Sequence, residues 1–365
     1  MQKDNAMPTL RTAVQFIEQG LASPERRAAF EAVARRYAVA LPQGLASLVD
    51  RDDPNDPIAR QFVPSAQELN RRPEELTDPI GDDAHSPVEG IVHRYPDRVL
   101  LKLTPICAVY CRFCFRREKV GPGKARPLSA AALARALDYI RVRKDIWEVI
   151  LTGGDPLVLS PRRLRPVMKA LGAIDHVKIV RLHTRVPLAE PARVTPELLR
   201  AIKASGKATY AALHVNHARE LSAPVRGAIA RMADSGIVLL GQSVLLAGVN
   251  DTPQALGDLM RALVECRIKP YYLHHGDLAP GTSHLRTDIA RGRALMRDLR
   301  GRFSGLCQPT YMLDIPGGHG KSPIGPSYIE HAEANGAPHF VVEDYKGHRH
   351  AYPPATGAAP HSVTD

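Results

Sequence analysis

From Val99 onward the chain repeats one pattern, and this repeat constrains the fold more than any other feature. Short apolar, β-branched runs begin at Val99 (VLLKLT), Trp147 (WEVILT), Val177 (VKIVRLHT), Thr209 (TYAALHV), Ile237 (IVLLGQSVLL) and Lys269 (KPYYLHH). From Trp147 the starts are 28 to 32 residues apart. Helix-length amphipathic stretches lie between them, at Ala130–Val142, Pro161–Leu171, Pro196–Ser205 and Thr252–Glu265. A strand–helix unit at this spacing specifies a parallel sheet. Strands apolar on both faces fit a sheet covered by helices. Six units are too few for a closed eight-stranded barrel and predict an α/β fold with a partial (β/α)6 barrel. The alternative is a doubly wound open sheet, but no GxGxxG follows the first strand.

Ahead of the repeat, residues 10–50 carry helical periodicity (Val14, Ile17, Leu21, then Phe30, Val33, Tyr37), and residues 51–90 are rich in Pro and Asp. The first 90 residues therefore read as a helical, wrapping region. Hydrophobic residues make up 44% of the chain and charged residues 24%, which excludes a disordered or fibrous protein. The longest uncharged apolar-rich run, Ile237 to Asn250, has 14 residues, short of the roughly 18 a membrane span needs. The start has no apolar signal core, and five Cys are too few for a disulfide framework. A cytoplasmic location is the expectation. Charge is uneven: residues 1–100 hold 12 basic and 16 acidic side chains, net −4, and residues 101–365 hold 37 and 22, net +15. That excess suits anionic ligands. No Lys/Arg run reaches the length of a nucleic-acid arm, the longest mixed cluster being Arg116-Arg117-Glu118-Lys119, so nucleic acid is not the expected partner.

In such α/β architectures ligands sit at the carboxyl ends of the strands. There the sequence places Cys107-Ala-Val-Tyr-Cys111-Arg-Phe-Cys114, then Thr152-Gly153-Gly154-Asp155, His183, His214, Gln242 and His274-His275-Gly276-Asp277. Three Cys at this spacing on one loop suit an iron–sulfur cluster. No fourth Cys is near, which leaves one iron open for a reactant. A zinc site would need a fourth ligand. A second motif, Asp314-Ile-Pro-Gly-Gly-His-Gly-Lys321-Ser322, ends like a P-loop, but position 315 is Ile where that motif needs Gly. A Lys in a flexible Gly-rich loop at the barrel mouth suits a Schiff base to pyridoxal phosphate.

The CxxxCxxC motif and Gly153-Gly154-Asp155 resemble the radical S-adenosylmethionine (SAM) superfamily. HRYPDRVLL, CRFCFRR, TGGDPL, GQSVLLAGVND, PYYLHHGDL and DIPGGHGK, from about His93 to Ser322, resemble motifs of the lysine 2,3-aminomutase family in their order. The resemblance implies a TIM-like partial barrel of the radical SAM type at 91–305, a segment for cofactor and substrate at 306–345, and a flexible tail at 346–365. It also implies a [4Fe-4S] cluster on Cys107, Cys111 and Cys114, with S-adenosylmethionine contacting Gly153, Gly154 and Asp155. Lys321 is similar to the family's pyridoxal phosphate lysine. Arg94, Tyr95 and Arg98 resemble the residues around the cofactor phosphate, with His214 and Gln242 as further neighbours. Arg116 resembles the partner of the substrate carboxylate, and Asp277 and Asp314 the carboxylates that hold the ε-ammonium of L-lysine.

The implied reaction moves the lysine α-amino group to C3, giving β-lysine, with an electron donor such as flavodoxin or ferredoxin. No Cys follows Cys307, so the family's inter-subunit zinc is not expected and a homo-oligomer is left open. Two alternatives remain. The compact length points to the branch that makes β-lysine for elongation factor P. The positive charge favours a radical SAM RNA-modifying enzyme, which would leave Lys321 and the aspartate pair without a role.

Overall fold

The computed structural model describes residues 9–124, 126–334 and 337–353. Four short helices open the chain: α1 (Ala13–Glu18), α2 (Arg27–Arg36), α3 (Gln43–Ala46) and α4 (Pro57–Phe62). Thr12 starts α1 with a capping box, and Asp56 caps α4 through the N–H groups of Ile58 and Ala59. Phe16, Phe30, Leu41, Leu45, Ile58 and Phe62 form their shared core. The expected stripe on the first helix is corrected here. Val14 is 41% exposed, whereas Ala13 and Phe16 are buried. The helix ends at Glu18, too short to bring Leu21 onto one face with Val14 and Ile17.

Nine strands then form one sheet in chain order: β1 (Ile91–Tyr95), β2 (Arg98–Thr104), β3 (Glu148–Gly153), β4 (Ile179–Thr184), β5 (Ala208–His214), β6 (Val238–Val244), β7 (Lys269–His274), β8 (Thr310–Ile315) and β9 (Gly320–Pro323). β2 through β8 are parallel, and β1 and β9 run antiparallel at the two edges. The crossovers carry α5 (Ala130–Val142), α6 (Pro161–Gly172), α7 (Val186–Ala189) with α8 (Pro196–Ile202), α9 (Ala223–Asp234), α10 (Pro253–Glu265) and α11 (Ile289–Leu299). The six expected units are β2 to β7. The structure adds β8, a seventh parallel strand, and both edges. Residues 306–345, set apart in the sequence reading, thus supply two strands of the same sheet.

The strands alternate between a dry and a wet face. Val99, Leu101, Val149, Leu151, Val180, Leu182, Leu213 and Leu239 are buried in the main core with the crossover helices. Between them, Leu100, Arg181, Tyr210, Leu240 and Gln242 line a central cavity of about 630 Å³. A barrel interior is ordinarily filled by layers of side chains; this one holds a space of ligand size, within the usual range of roughly 300–1,000 Å³.

A separate antiparallel sheet follows: β10 (Ile329–Ala334), β11 (Ala337–Glu343) and β12 (Arg349–Tyr352). The end expected to be flexible from Lys346 therefore contains a strand. Asp344 folds the turn that makes it, accepting from the N–H groups of Lys346 and His348. The remainder of that tail, 354–365, lies outside the described residues. Among the described residues no helix is long and apolar enough to cross a membrane.

Candidate active site

The carboxyl ends of the parallel strands open into the cavity, and the first loop there carries the three cysteines. Its anchor comes from the N-terminal wrap. Ser65 caps the turn Ala66–Leu69, which delivers Glu68, fully buried, to Arg112 and Arg117. Arg112 Nε donates to Glu68 at 3.0 Å and Arg112 Nη1 to the Ala38 carbonyl at 2.9 Å. Burial pushes the Glu68 carboxyl up, but the two guanidiniums outweigh it and hold it below its ordinary range.

Cys107, Cys111 and Cys114 all face the cavity. Burial raises each thiol, Cys111 to about 11. Thiolates in such a place need a compensating metal. Among the described residues no three metal-ligating side chains converge on a single ion. The donor set fits a four-iron cluster in which three irons would each take one thiolate and the fourth none.

The turn after β3 packs directly against the start of this loop. Gly154 N donates to the Thr104 carbonyl at 2.6 Å and Asp155 N to the Ile106 carbonyl at 2.9 Å. A Cβ on Gly154 would sit 2.4 Å from the Ile106 oxygen, so only glycine allows the approach. Asp155 lines the cavity with the two glycines, and its carboxylate is held by the protein. Its carboxylate accepts from Thr184 Oγ1 and from the N–H groups of Leu157, Arg185 and Val186. It ties the end of β3 to the end of β4 and keeps no oxygen free of protein donors.

Lys321 was expected in a flexible loop and instead stands on β9. The chain turns through Pro316 to His319, with Gly317 and Gly318 at positive φ, and pairs Lys321 with Asp314 across the β8–β9 ladder. Their side chains form an ion pair. Asp314 Oδ2 also meets His274 Nδ1 at 3.2 Å. Burial raises the Asp314 carboxyl, but His274 and Lys321 outweigh it and hold it well below the carboxylate range. For Asp277 the balance goes the other way: burial first, then the Asp314 charge, push it up to about 7 against the pull of Lys321 and Arg116. His275 turns away, bonded to Tyr311 Oη at 2.8 Å.

Arg116 is fixed on one side, with Nε donating to Asp82 Oδ2 at 2.9 Å, and its Nη1 lies 3.4 Å from Thr152 Oγ1. Asp82 also takes Arg94 Nη2 at 3.2 Å, and the Ile80 carbonyl takes the same nitrogen at 2.6 Å. Tyr95 bridges the two edges of the sheet: its Oη accepts from the Lys321 N–H at 2.7 Å. Arg98 lies over the Tyr95 ring, 3.9 Å from its centroid, and pairs with Asp97 at 2.7 Å. The Lys321 backbone and the Arg98 guanidinium thus meet the hydroxyl and the ring face of one tyrosine.

Among the residues that line this cavity, His183 Nε2, Gln242 Oε1 and His274 Nε2 are buried without a protein partner, as are the Nε atoms of Arg94, Arg181 and Arg185. Such orphans signal a missing ligand. Burial lowers His183 and His214, the latter to about 3, so both are neutral at physiological pH. This polar lining, with Lys321 and Arg98 both on the cavity, fits pyridoxal phosphate.

The cavity therefore brings together every expected site residue, Asp155 included, although the Asp155 carboxylate itself bonds within the protein. Asp82, Glu68, His183 and His274 were not among the expected site residues. His183 and His274 were visible at strand ends; nothing local marked Asp82 or Glu68. Residues 101–259 match the family model described as the Radical SAM superfamily. The chain is 42% identical over 284 residues to "L-lysine 2,3-aminomutase" of Clostridium subterminale, covering 78% of this chain and 68% of that one. It is 40% identical over 303 residues to the protein of that name from Methanococcus maripaludis, covering 83% and 69%. It is 35% identical over 301 residues to "Glutamate 2,3-aminomutase" of Clostridioides difficile, covering 82% and 70%. The chain belongs to the lysine 2,3-aminomutase family of radical SAM enzymes.

Proposed function

We propose that this enzyme is an L-lysine 2,3-aminomutase that forms β-lysine with a [4Fe-4S] cluster, S-adenosylmethionine and pyridoxal phosphate. The observation that carries the reading is the pair Asp277 and Asp314 beside Lys321, in the cavity that the three thiols line. A buried ammonium needs anionic partners. Two carboxylates suit the side chain of lysine and repel that of glutamate.

Cys107, Cys111 and Cys114 would hold the cluster, and the backbone at Gly153 and Gly154 the methionine end of S-adenosylmethionine. Lys321, Tyr95, Arg98, His214 and Gln242 would hold pyridoxal phosphate, with Arg94 behind them on Asp82. When bound, these groups supply a carbon radical that takes hydrogen from the substrate Cβ and a carbonyl that carries the migrating nitrogen.

The chain's own residues do the binding and orienting. Asp82 holds one edge of Arg116, which leaves Nη1 to meet the substrate carboxylate as a charge-assisted donor. Asp314 keeps the proton of the Lys321 ammonium until that nitrogen is engaged. Asp277 ionises as a substrate ammonium arrives, because a nearby cation reverses the effect of burial. His183 and His214 stay neutral and add no cation to compete with the substrate.

The test is an anaerobic assay of the reconstituted protein with L-lysine, S-adenosylmethionine, pyridoxal phosphate and dithionite, read by mass-resolved chromatography. β-Lysine is the expected product. Formation of 5′-deoxyadenosine without β-lysine would retain the radical machinery and remove lysine as the substrate.

A further inference from the structure

His274 ends β7 with one ring nitrogen engaged and the other idle. The residue is 6% exposed and lines the cavity. Neighbouring strands hold its backbone on both sides. It pairs with Val244 on β6 and with Met312 on β8, and its carbonyl accepts from the Leu245 N–H at 2.8 Å. The Tyr272 ring meets the imidazole edge-on, with 5.6 Å between centroids. Nδ1 lies 3.2 Å from Asp314 Oδ2, while Nε2 is buried and has no protein partner.

The contact with Asp314 fixes which nitrogen carries the proton. An ionised carboxylate can only accept. Burial lowers the imidazole in spite of Asp314, so the ring is neutral and holds a single proton. That proton sits on Nδ1 and is donated to Asp314, which leaves a lone pair on Nε2. Lys321 does not meet this lone pair, because its Nζ donates to the other oxygen of the same carboxylate. A buried acceptor left unmet is costly. The group that fills this end of the cavity must therefore bring a donor.

We infer that His274 Nε2 is the third acceptor for the substrate's side-chain ammonium, beside Asp277 and Asp314, and that it selects an unsubstituted primary ammonium. The inference rests on the reading that those two carboxylates hold the ε-ammonium of lysine. A primary ammonium has three N–H donors. The carboxylates compensate its charge and take two of them. The neutral ring takes the third and adds no further charge. A methyl group on that nitrogen removes one donor and sets carbon against the lone pair. The buried acceptor then stays unpaired, which is how a polar site rejects a close analogue.

The test gives the reconstituted holoenzyme L-lysine and N6-methyl-L-lysine in competition, and compares the parent with His274→Asn and His274→Gln. The Asn amide can take the place of Nδ1 and keep the donation to Asp314, with nothing at the Nε2 position. The Gln amide reaches the Nε2 position and offers an acceptor there. In His274→Asn the lysine KM rises by at least about tenfold, more than kcat falls, and the preference for lysine over its methylated form drops by a similar factor. His274→Gln keeps most of that preference. A parent that uses both amino acids equally well overturns the inference without any variant. So does a His274→Asn protein with the parent's preference. Loss of the preference in His274→Gln alone also overturns it, because the ring would then act only by steadying Asp314. If the parent forms no β-lysine, the substrate reading fails. Calorimetric titration of L-lysine into the parent and His274→Asn then decides the acceptor: weaker binding to the variant supports it, and equal or absent binding overturns it.

Discussion

Two buried charge clusters in this molecule are built in opposite ways. Around Glu68 one carboxylate meets two guanidiniums, and further N–H groups of Arg112 and Arg117 are taken by the carbonyls of Ala38, Arg112 and Gly281. Around Asp314 one carboxylate meets Lys321 and a neutral His274, while Asp277 lies nearby without a hydrogen-bonded cation of its own. His274 Nε2 and Gln242 Oε1 stay without protein partners. In the first cluster both carboxylate oxygens are taken by protein donors, although Arg117 Nε has no partner, and the cluster fixes the cysteine loop. The second is left open toward the cavity, and in the proposed function a ligand completes it. A buried charge costs several kcal/mol unless it is compensated, so the open cluster is a site and the closed one is a clamp.

The sharpest break of this contrast is Lys321→Ala. Turnover falls by several orders of magnitude, and the absorbance of covalently held pyridoxal phosphate disappears. A cofactor spectrum identical to the parent's would place the covalent link elsewhere. Next is Glu68→Gln, which leaves two buried guanidiniums without their carboxylate. The expected loss is about 3–5 kcal/mol of stability, and cluster incorporation and lysine turnover fall together. An unchanged denaturation midpoint would show that the clamp contributes nothing.

Asp277 sharpens the comparison through pH. Its folded pKa, about 7, lies above the ordinary carboxylate value, so the unliganded protein favours the protonated form. Stability of the unliganded protein therefore drops as pH rises from the carboxylate range through that value. The same ionisation strengthens the hold on a substrate ammonium, so lysine KM falls from about pH 6 to about pH 8. Asp277→Asn flattens both trends, raises the melting temperature at the upper pH, and raises lysine KM by roughly 30-fold. A variant with the parent's pH profile would remove Asp277 from the ammonium site. The smallest effect belongs to Asp97→Asn. Its pair with Arg98 is half-exposed, and the expected change is within about 1 kcal/mol. Loss of cofactor retention in this variant would show that Asp97 positions Arg98.

Legibility in the sequence followed distance along the chain. The strand starts were readable because periodicity is written within a few residues, and so was the thiol spacing. The helical stripe on α1 misled because nothing local showed that the helix would end after six residues. Lys321 read as a loop residue because its neighbours are glycines. Two of those glycines make the turn that sets Lys321 opposite Asp314, and the strand exists only because β8 is there to pair with it. Asp155 read as a contact because it follows two glycines at a strand end. The partners that hold its carboxylate, Thr184 and the backbone of Arg185, lie about thirty residues on and were not readable there.

By itself the sequence determined six strand–helix units, a three-cysteine loop after the first of them, and one lysine in a glycine-rich segment, because each is a local pattern of period or spacing. The tertiary structure alone decided which distant residue stands opposite which. Asp82 meets Arg94 and Arg116 across 12 and 34 positions, and Glu68 meets Arg112 and Arg117 across 44 and 49. The path of the N-terminal wrap over the barrel mouth makes those pairs, and no local rule encodes that path. Burial then assigns the roles: the same carboxylate chemistry is a clamp where two guanidiniums enclose it and a binding site where the cavity leaves one side open.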